Sequence, residues 1–307
     1  MRLSLFFAAA ALLLTPSSSV SAQPPEATSL FGKPLVSAPP TGDTKTRLEG
    51  DLAKAQADFD RDPSSADAAI WLGRRLAYLG RFRDAIDVYT RGIAKHPNEP
   101  RLYRHRGHRY ITVRKFDEAI ADLRKASQLV AGKKDEIEPD GAPNKAGVPR
   151  STLQSNIWYH LGLAQYLKGD FRSALASYQE GMKVSRVNDD MLVATSDWLY
   201  MTLRRLKRDD EAKRVLDPIK EQMDILENGA YHARLLMYKG LRTPDSVLKL
   251  DTADDVQVAT QGYGVGNWYL VNGDKAKAKE IFDRVVAGTA WPAFGYIAAE
   301  ADLKRGL

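Results

Sequence analysis

Residues 66–99 read ADAAIWLGRRLAYLGRFRDAIDVYTRGIAKHPNE, and residues 100–133 read PRLYRHRGHRYITVRKFDEAIADLRKASQLVAGK. Each segment is 34 residues long, and superimposed they agree where helices would touch. Gly73 and Gly107 coincide, and each is followed twelve positions later by an alanine, Ala85 or Ala119. The same pair recurs as Gly162 with Ala174 and as Gly266 with Ala278. Apolar residues around each pair return every three to four positions, the period of a helix with one buried face. Self-similarity at a fixed period of this length marks a solenoid of helix pairs, in which each unit packs only on its neighbours.

The phase extends along most of the chain. Further units fall at 155–188, 193–226 and 259–292, with a degenerate one at 227–258. That last piece carries an apolar helix around Tyr231–Tyr238, Gly240 where a helix would end, and Pro244 where a second could begin. Leu48, Leu52, Ala55 and Phe59 recur at helical spacing, so residues 44–63 form an N-terminal capping helix over the open side of the first unit. Residues 293–307 read as the matching C-terminal capping helix. Residues 23–43, rich in proline, serine and threonine, suit a poorly ordered leader.

The pattern resembles the tetratricopeptide repeat family. The resemblance rests on Leu72, Gly73, Leu76, Phe82, Ala85, Tyr89 and Pro97 in the first unit, and on Tyr103, Gly107, Tyr110, Phe116, Ala119, Leu123 and Ala126 in the second. Trp158, Leu161, Gly162, Phe171, Ala174 and Tyr178 carry it in the third. Leu199, Leu203, Ala212 and Leu216 follow in the fourth, where Tyr200 replaces the usual glycine, and Val265, Gly266, Tyr269, Ala278 and Phe282 close the array. Arg106 departs from the pattern at an apolar position. The resemblance implies an all-α, right-handed superhelix of helix hairpins over 66–292. Glycine and alanine would face each other within a hairpin, and the aromatics would fill the gap to the next unit. A concave groove lined by the first helix of each pair would take a guest.

Composition narrows the functional classes. There is no cysteine, which excludes disulfides, thiolate zinc sites and a cysteine nucleophile. The formal net charge of +6 points mildly to acidic partners. Arg2, the apolar run Leu3–Leu14 and Val20-Ser21-Ala22 form an export signal over 1–22, with cleavage expected after Ala22. The run is too short to span a bilayer, so the expected destination is periplasmic or secreted. Export disfavours a nucleic-acid partner. No serine–histidine–acid or paired-carboxylate arrangement stands out, so no enzyme and no cofactor is expected.

What remains is the groove. The family's groove-facing positions fall here on Arg74 and Tyr78, then on Arg101, Arg104, His105 and His108. In later units they fall on Asn156, Tyr159, His160 and Tyr166, and on Asp197, Trp198, Arg204 and Arg205. From Pro100 to Phe116 there are six lysines and arginines and no acid. Like charges at this spacing destabilise a helix, which points to an anion that repays them. The simpler alternative is neutralisation by Asp84, Asp87 and Asp122. The expected guest is a protein or peptide of acidic character; an anionic glycan or lipid headgroup is the alternative. His105 and His108 have metal-ligand spacing without a third ligand, so no metal is expected. The insertion at 134–150 holds Asp135, Glu136, Glu138 and Asp140 among glycines and prolines. It reads either as a flexible polar loop or as an acidic lid over the basic groove.

Overall fold

The computed structural model describes residues 24–141, 143–250 and 252–307. The export signal expected at 1–22 lies outside them. Two short strands, β1 (Ala27–Thr28) and β2 (Pro34–Leu35), precede helix α1 (Gly42–Arg61). Six helix hairpins follow. They are α2 (Ala66–Tyr78) with α3 (Phe82–Lys95), α4 (Pro100–Thr112) with α5 (Phe116–Val130), and α6 (Leu153–Leu167) with α7 (Phe171–Val184). Next come α8 (Asp189–Arg205) with α9 (Asp209–Val215), α10 (Gly229–Tyr238) with α11 (Pro244–Val247), and α12 (Asp255–Val271) with α13 (Lys275–Ala287). Helix α14 (Phe294–Arg305) ends the chain. Each long helix packs on its hairpin partner and on the next hairpin, as in an all-α solenoid.

Local chemistry explains most element boundaries. The Ser65 hydroxyl accepts from the Ala68 amide at 3.1 Å and starts α2. Helix α8 begins four residues ahead of the expected unit, because the Asn188 side chain accepts from Met191 N at 2.9 Å and Asp189 and Asp190 fill the first turn. Asp254 does the same for α12, accepting from Gln257 N at 2.8 Å. The second helices of units four and five are short. Pro218 disfavours helix at the residue before it and leaves α9 at seven residues, and α11 is one turn. The turn of every hairpin passes through a left-handed residue. Gly80, Arg114, Gly169, Lys207, Gly240 and Gly273 hold it, with φ between 58° and 95°. For Arg114 and Lys207 that conformation costs about 1–2 kcal/mol each.

The repeat glycines make a different contact from the one expected. The side chain over each is the residue sixteen positions on. A Cβ on Gly73 would lie 2.3 Å from the Tyr89 ring, one on Gly107 2.8 Å from Leu123, one on Gly162 2.6 Å from Tyr178, and one on Gly266 2.5 Å from Phe282. The large residue therefore fills the space inside its own hairpin, and glycine makes room for it. Gly73→Ala should lower stability by about 1–3 kcal/mol, because Tyr89 is buried and has nowhere to go. In an exposed helix the same change gains about 1 kcal/mol, so the sign of the shift in a urea melt decides the point.

Both ends of the chain differ from the sequence reading. Helix α1 lies on α2 as a cap, with only Ala55 buried. The segment expected as a poorly ordered leader is instead a hairpin in register Ala27↔Leu35 and Thr28↔Pro34. Its prolines do not prevent this, since strands without further neighbours need no amide at those positions. The hairpin is tied at both sides. Glu26 accepts from the Arg83 amide at 2.9 Å, Ser37 Oγ donates to Gly80 O at 2.8 Å, and Trp291 Nε1 donates to Val36 O at 2.9 Å. Helix α14 is no outer cap with a polar face. Tyr296, Ile297, Ala298, Ala299, Glu300, Ala301 and Asp302 are all buried. It packs on α12, α13 and α6, so close to α12 that a Cβ on Gly295 would lie 1.9 Å from Ala259 O.

Two buried carboxylates seat α14. Glu300 accepts from Arg114 Nε at 2.9 Å and from the Leu30 amide at 2.9 Å. Asp302 accepts from Arg205 Nη1 at 2.9 Å and from Tyr263 Oη at 2.8 Å, and also pairs with Arg305. Arg114 and Glu300 are separated by 186 residues. The array thus curls until its last helix meets its second hairpin, and the short N-terminal hairpin bridges the join. Among the described residues no helix is long and apolar enough to cross a membrane.

Candidate binding site on the inner face

Helix α4 supplies the centre of the inner face. Its Arg104 and His105 are buried, and both face Glu138 of the insertion. Arg104 Nε lies 3.1 Å from Glu138 Oε2, and His105 Nε2 lies 3.3 Å from Glu138 Oε1. Asn156 Nδ2 donates to the same carboxylate at 2.9 Å. Arg104 Nη1 donates to His105 Nδ1 at 2.9 Å. A guanidinium can only donate, so Nδ1 accepts and the proton of this neutral imidazole sits on Nε2, toward Glu138. Burial, and then the charge of Arg104, hold the His105 pKa well below its usual value, consistent with that state.

One turn further on, His108 meets His160 of α6 and Phe294 of α14, with ring centroids 4.3 and 5.1 Å away. His160 donates from Nδ1 to Asn156 O at 2.6 Å. Burial lowers the pKa of both imidazoles. Beside them, Arg109 makes no ion pair and no side-chain hydrogen bond among the described residues; its guanidinium lies 5.5 Å from the Phe82 ring centre. Burial lowers its pKa to about 10, with Arg104 and Arg74 pushing the same way. It remains charged at neutral pH. Arg74 stacks on Trp71 at 4.5 Å and likewise has no carboxylate partner within ion-pair distance. Three arginines therefore converge here, and Glu138 pairs with Arg104 alone among them.

The repeat that contributes Asn156 and His160 carries a family signature. Residues 155–188 match the tetratricopeptide repeat model. That segment of the chain is a tetratricopeptide repeat. Solved structures with this architecture include YrrB, described as a tetratricopeptide protein with an unusual peptide-binding site. It is 14% identical, with 77% of this chain and 92% of that chain covered and a TM-score of 0.43. Pseudomonas aeruginosa pilF is 15% identical over 79% of this chain and 85% of its own, with a TM-score of 0.45. A MamA protein is 15% identical over 65% and 88%, with a TM-score of 0.43. No curated protein sequence matches this one.

The helix array brings together only part of the expected groove. Arg74, Arg104, His105 and His108 share one mouth with Arg109, which the sequence reading left out of the groove. Arg101 does not join them. It is tied at the start of α4 to Glu99 at 2.8 Å and to Asp67 at 2.6 Å. Tyr159, His160 and Tyr166 are buried under α14 and are not open to a guest. Tyr159 accepts from Trp198 Nε1 at 2.8 Å and meets the Tyr231 hydroxyl at 2.6 Å. Tyr166 lies 2.7 Å from the Tyr263 hydroxyl. Asp197 pairs with Arg234 at 2.7 Å, and Arg204 with Asp209 at 2.8 Å. The neutralisation reading holds for Arg106, which Asp122 grips at 2.7 and 2.8 Å. Asp84 instead pairs with Arg81. The hollow expected to be empty is filled by α14, leaving a mouth between α2, α4 and the insertion.

Proposed function

We propose that this protein is an exported interaction scaffold of the cell envelope that seats an acidic segment of a partner protein at the mouth formed by Arg74, Arg104, His105 and Arg109. One observation supports the reading most: Arg109, half-buried beside Arg104 and Arg74, has no carboxylate partner among the described residues. A partly desolvated guanidinium without a carboxylate of its own attracts an anionic group that comes within reach. Guanidinium groups match carboxylates in planar geometry, and this favours an acidic polypeptide. The residues at 1–22 support export. Nothing in the mouth combines a nucleophile with a base, so binding alone is the proposed role.

The test uses the full chain against immobilised decapeptides that are acidic, neutral or basic. Acidic peptides should be retained, and Arg109→Gln should weaken retention about tenfold, which is about 1.4 kcal/mol. Equal retention of neutral peptides would overturn the reading. So would binding to anionic lipid vesicles or acidic glycan with no binding to the peptides.

A further inference from the structure

We infer that Glu138-Pro139-Asp140-Gly141 is a built-in stand-in for the partner. The partner segment then presents two carboxylates two residues apart, followed by glycine, and displaces the insertion as it binds. This rests on the reading of the mouth given above.

The insertion is ordered at its base. Ile137 bridges to Thr152, the Glu138 amide donates to Ser151 O at 2.9 Å, and Thr152 Oγ1 donates to Asp135 at 2.6 Å. Further along, Asn144 reaches across to Glu227 at 2.6 Å. Between these anchors the chain crosses the mouth. Pro139 favours extended backbone at Glu138, and in extended chain residues i and i+2 point the same way. Glu138 and Asp140 can therefore both face the arginines. Gly141 closes the contact: its carbonyl accepts from Arg75 Nη1 at 2.7 Å, and a Cβ there would lie 2.2 Å from the Tyr78 hydroxyl. Alanine there would have to push Tyr78 and Arg74 aside.

The fit is incomplete, as a displaceable occupant requires. Arg104 Nε is buried without a hydrogen bond although Glu138 is near. Asp140 Oδ2 is also buried and has no partner. Arg74 and Arg109 remain unpaired beside them. Glu138 is well satisfied and Asp140 is not, because the anchors at Thr152 and Asn144 fix where the segment can lie. A free segment with the same acid–x–acid–glycine order escapes those anchors and can pair with Arg74 or Arg109 as well. Ile137 and Val148, 64% and 46% exposed, lose little when the loop swings out.

The probe is a fluorescent heptapeptide copying residues 135–141, Asp-Glu-Ile-Glu-Pro-Asp-Gly, with an amide control carrying Gln and Asn for the two inferred acids. Binding to the full chain is read by anisotropy. The double variant Glu138→Gln/Asp140→Asn should bind the acidic probe at least tenfold more tightly than the unaltered chain. Gly141→Ala should do the same without any change of charge, by forcing the segment off Tyr78, and it serves if the double variant is poorly folded. A probe with its acids adjacent should bind about fivefold more weakly. Preference for the acidic probe with unchanged affinity in both variants would overturn the stand-in while leaving the acidic-partner reading intact. No preference over the amide control in any of these proteins would overturn that reading itself.

Discussion

Glu300→Ala should destabilise the protein by about 3–5 kcal/mol, because it strands the buried Arg114 guanidinium at the join of the array. Both side chains are almost wholly inaccessible, at 3% and 1% exposure, so water cannot take over from the lost carboxylate. Arg114 also sits at a left-handed turn where other hairpins use glycine. Without Glu300 the chain keeps that strain, and the Arg114 charge is left with only the Thr112 and Trp291 carbonyls as acceptors. The Leu30 amide loses its acceptor in the same step, so the N-terminal hairpin should loosen with α14. Urea unfolding measures the loss, and proteolysis within residues 24–40 reports the hairpin. Unchanged stability would mean that the join contributes nothing to the fold.

The second large effect is on pH. His105 and His160 are buried, His108 is half-buried, and all three are neutral in the fold, their pKa values held well below 6.5, chiefly by desolvation. Arg104 and Arg109 face them from α4 and oppose a further positive charge; Arg74 adds to this at His105, and Glu138 is the single acid in contact. The sign follows from linkage. Unfolding raises these pKa values, so the unfolded chain binds more protons below about pH 6.5. The stability they contribute is present above that pH and is lost as pH falls. Each imidazole that stays neutral in the fold adds a slope of about 1.4 kcal/mol per pH unit. Between pH 6.5 and 5 the loss should be steep, ahead of most carboxylates. His108→Phe combined with His160→Phe should flatten it. An unfolding free energy constant over that interval would show that the imidazoles are hydrated.

The hairpins were legible because their determinants are local. Glycine at the turn, glycine in the first helix and an aromatic residue sixteen positions on all fall within one unit. The units shifted by four residues at Asn188 and Asp254 through caps that the sequence does display. The degenerate fifth unit shows in the apolar run Tyr231–Tyr238 with Gly240 and Pro244 behind it. The two ends were misread because their partners are distant. Glu300 and Asp302 look like the polar face of a cap until Arg114 and Arg205 are placed beside them, 186 and 97 residues away. One signal was available: Ile297, Ala298, Ala299 and Ala301 form a small-residue stretch suited to burial between helices. In the leader, composition suggests disorder, while the ordering comes from hydrogen bonds to Glu300, Gly80 and Trp291. For the mouth, counting basic residues points to α4, the helix that carries Arg104 and Arg109. It could not separate Arg101 and Arg106, which have acids of their own, from Arg104 and Arg109.

A crystal structure of the full chain with the heptapeptide copy of residues 135–141 tests the central claim most directly. The account predicts a peptide carboxylate on Arg104 and His105 where Glu138 now lies, Arg109 newly paired, and the insertion displaced with α14 in place. Glu138 still seated there while the peptide binds on another surface would contradict it.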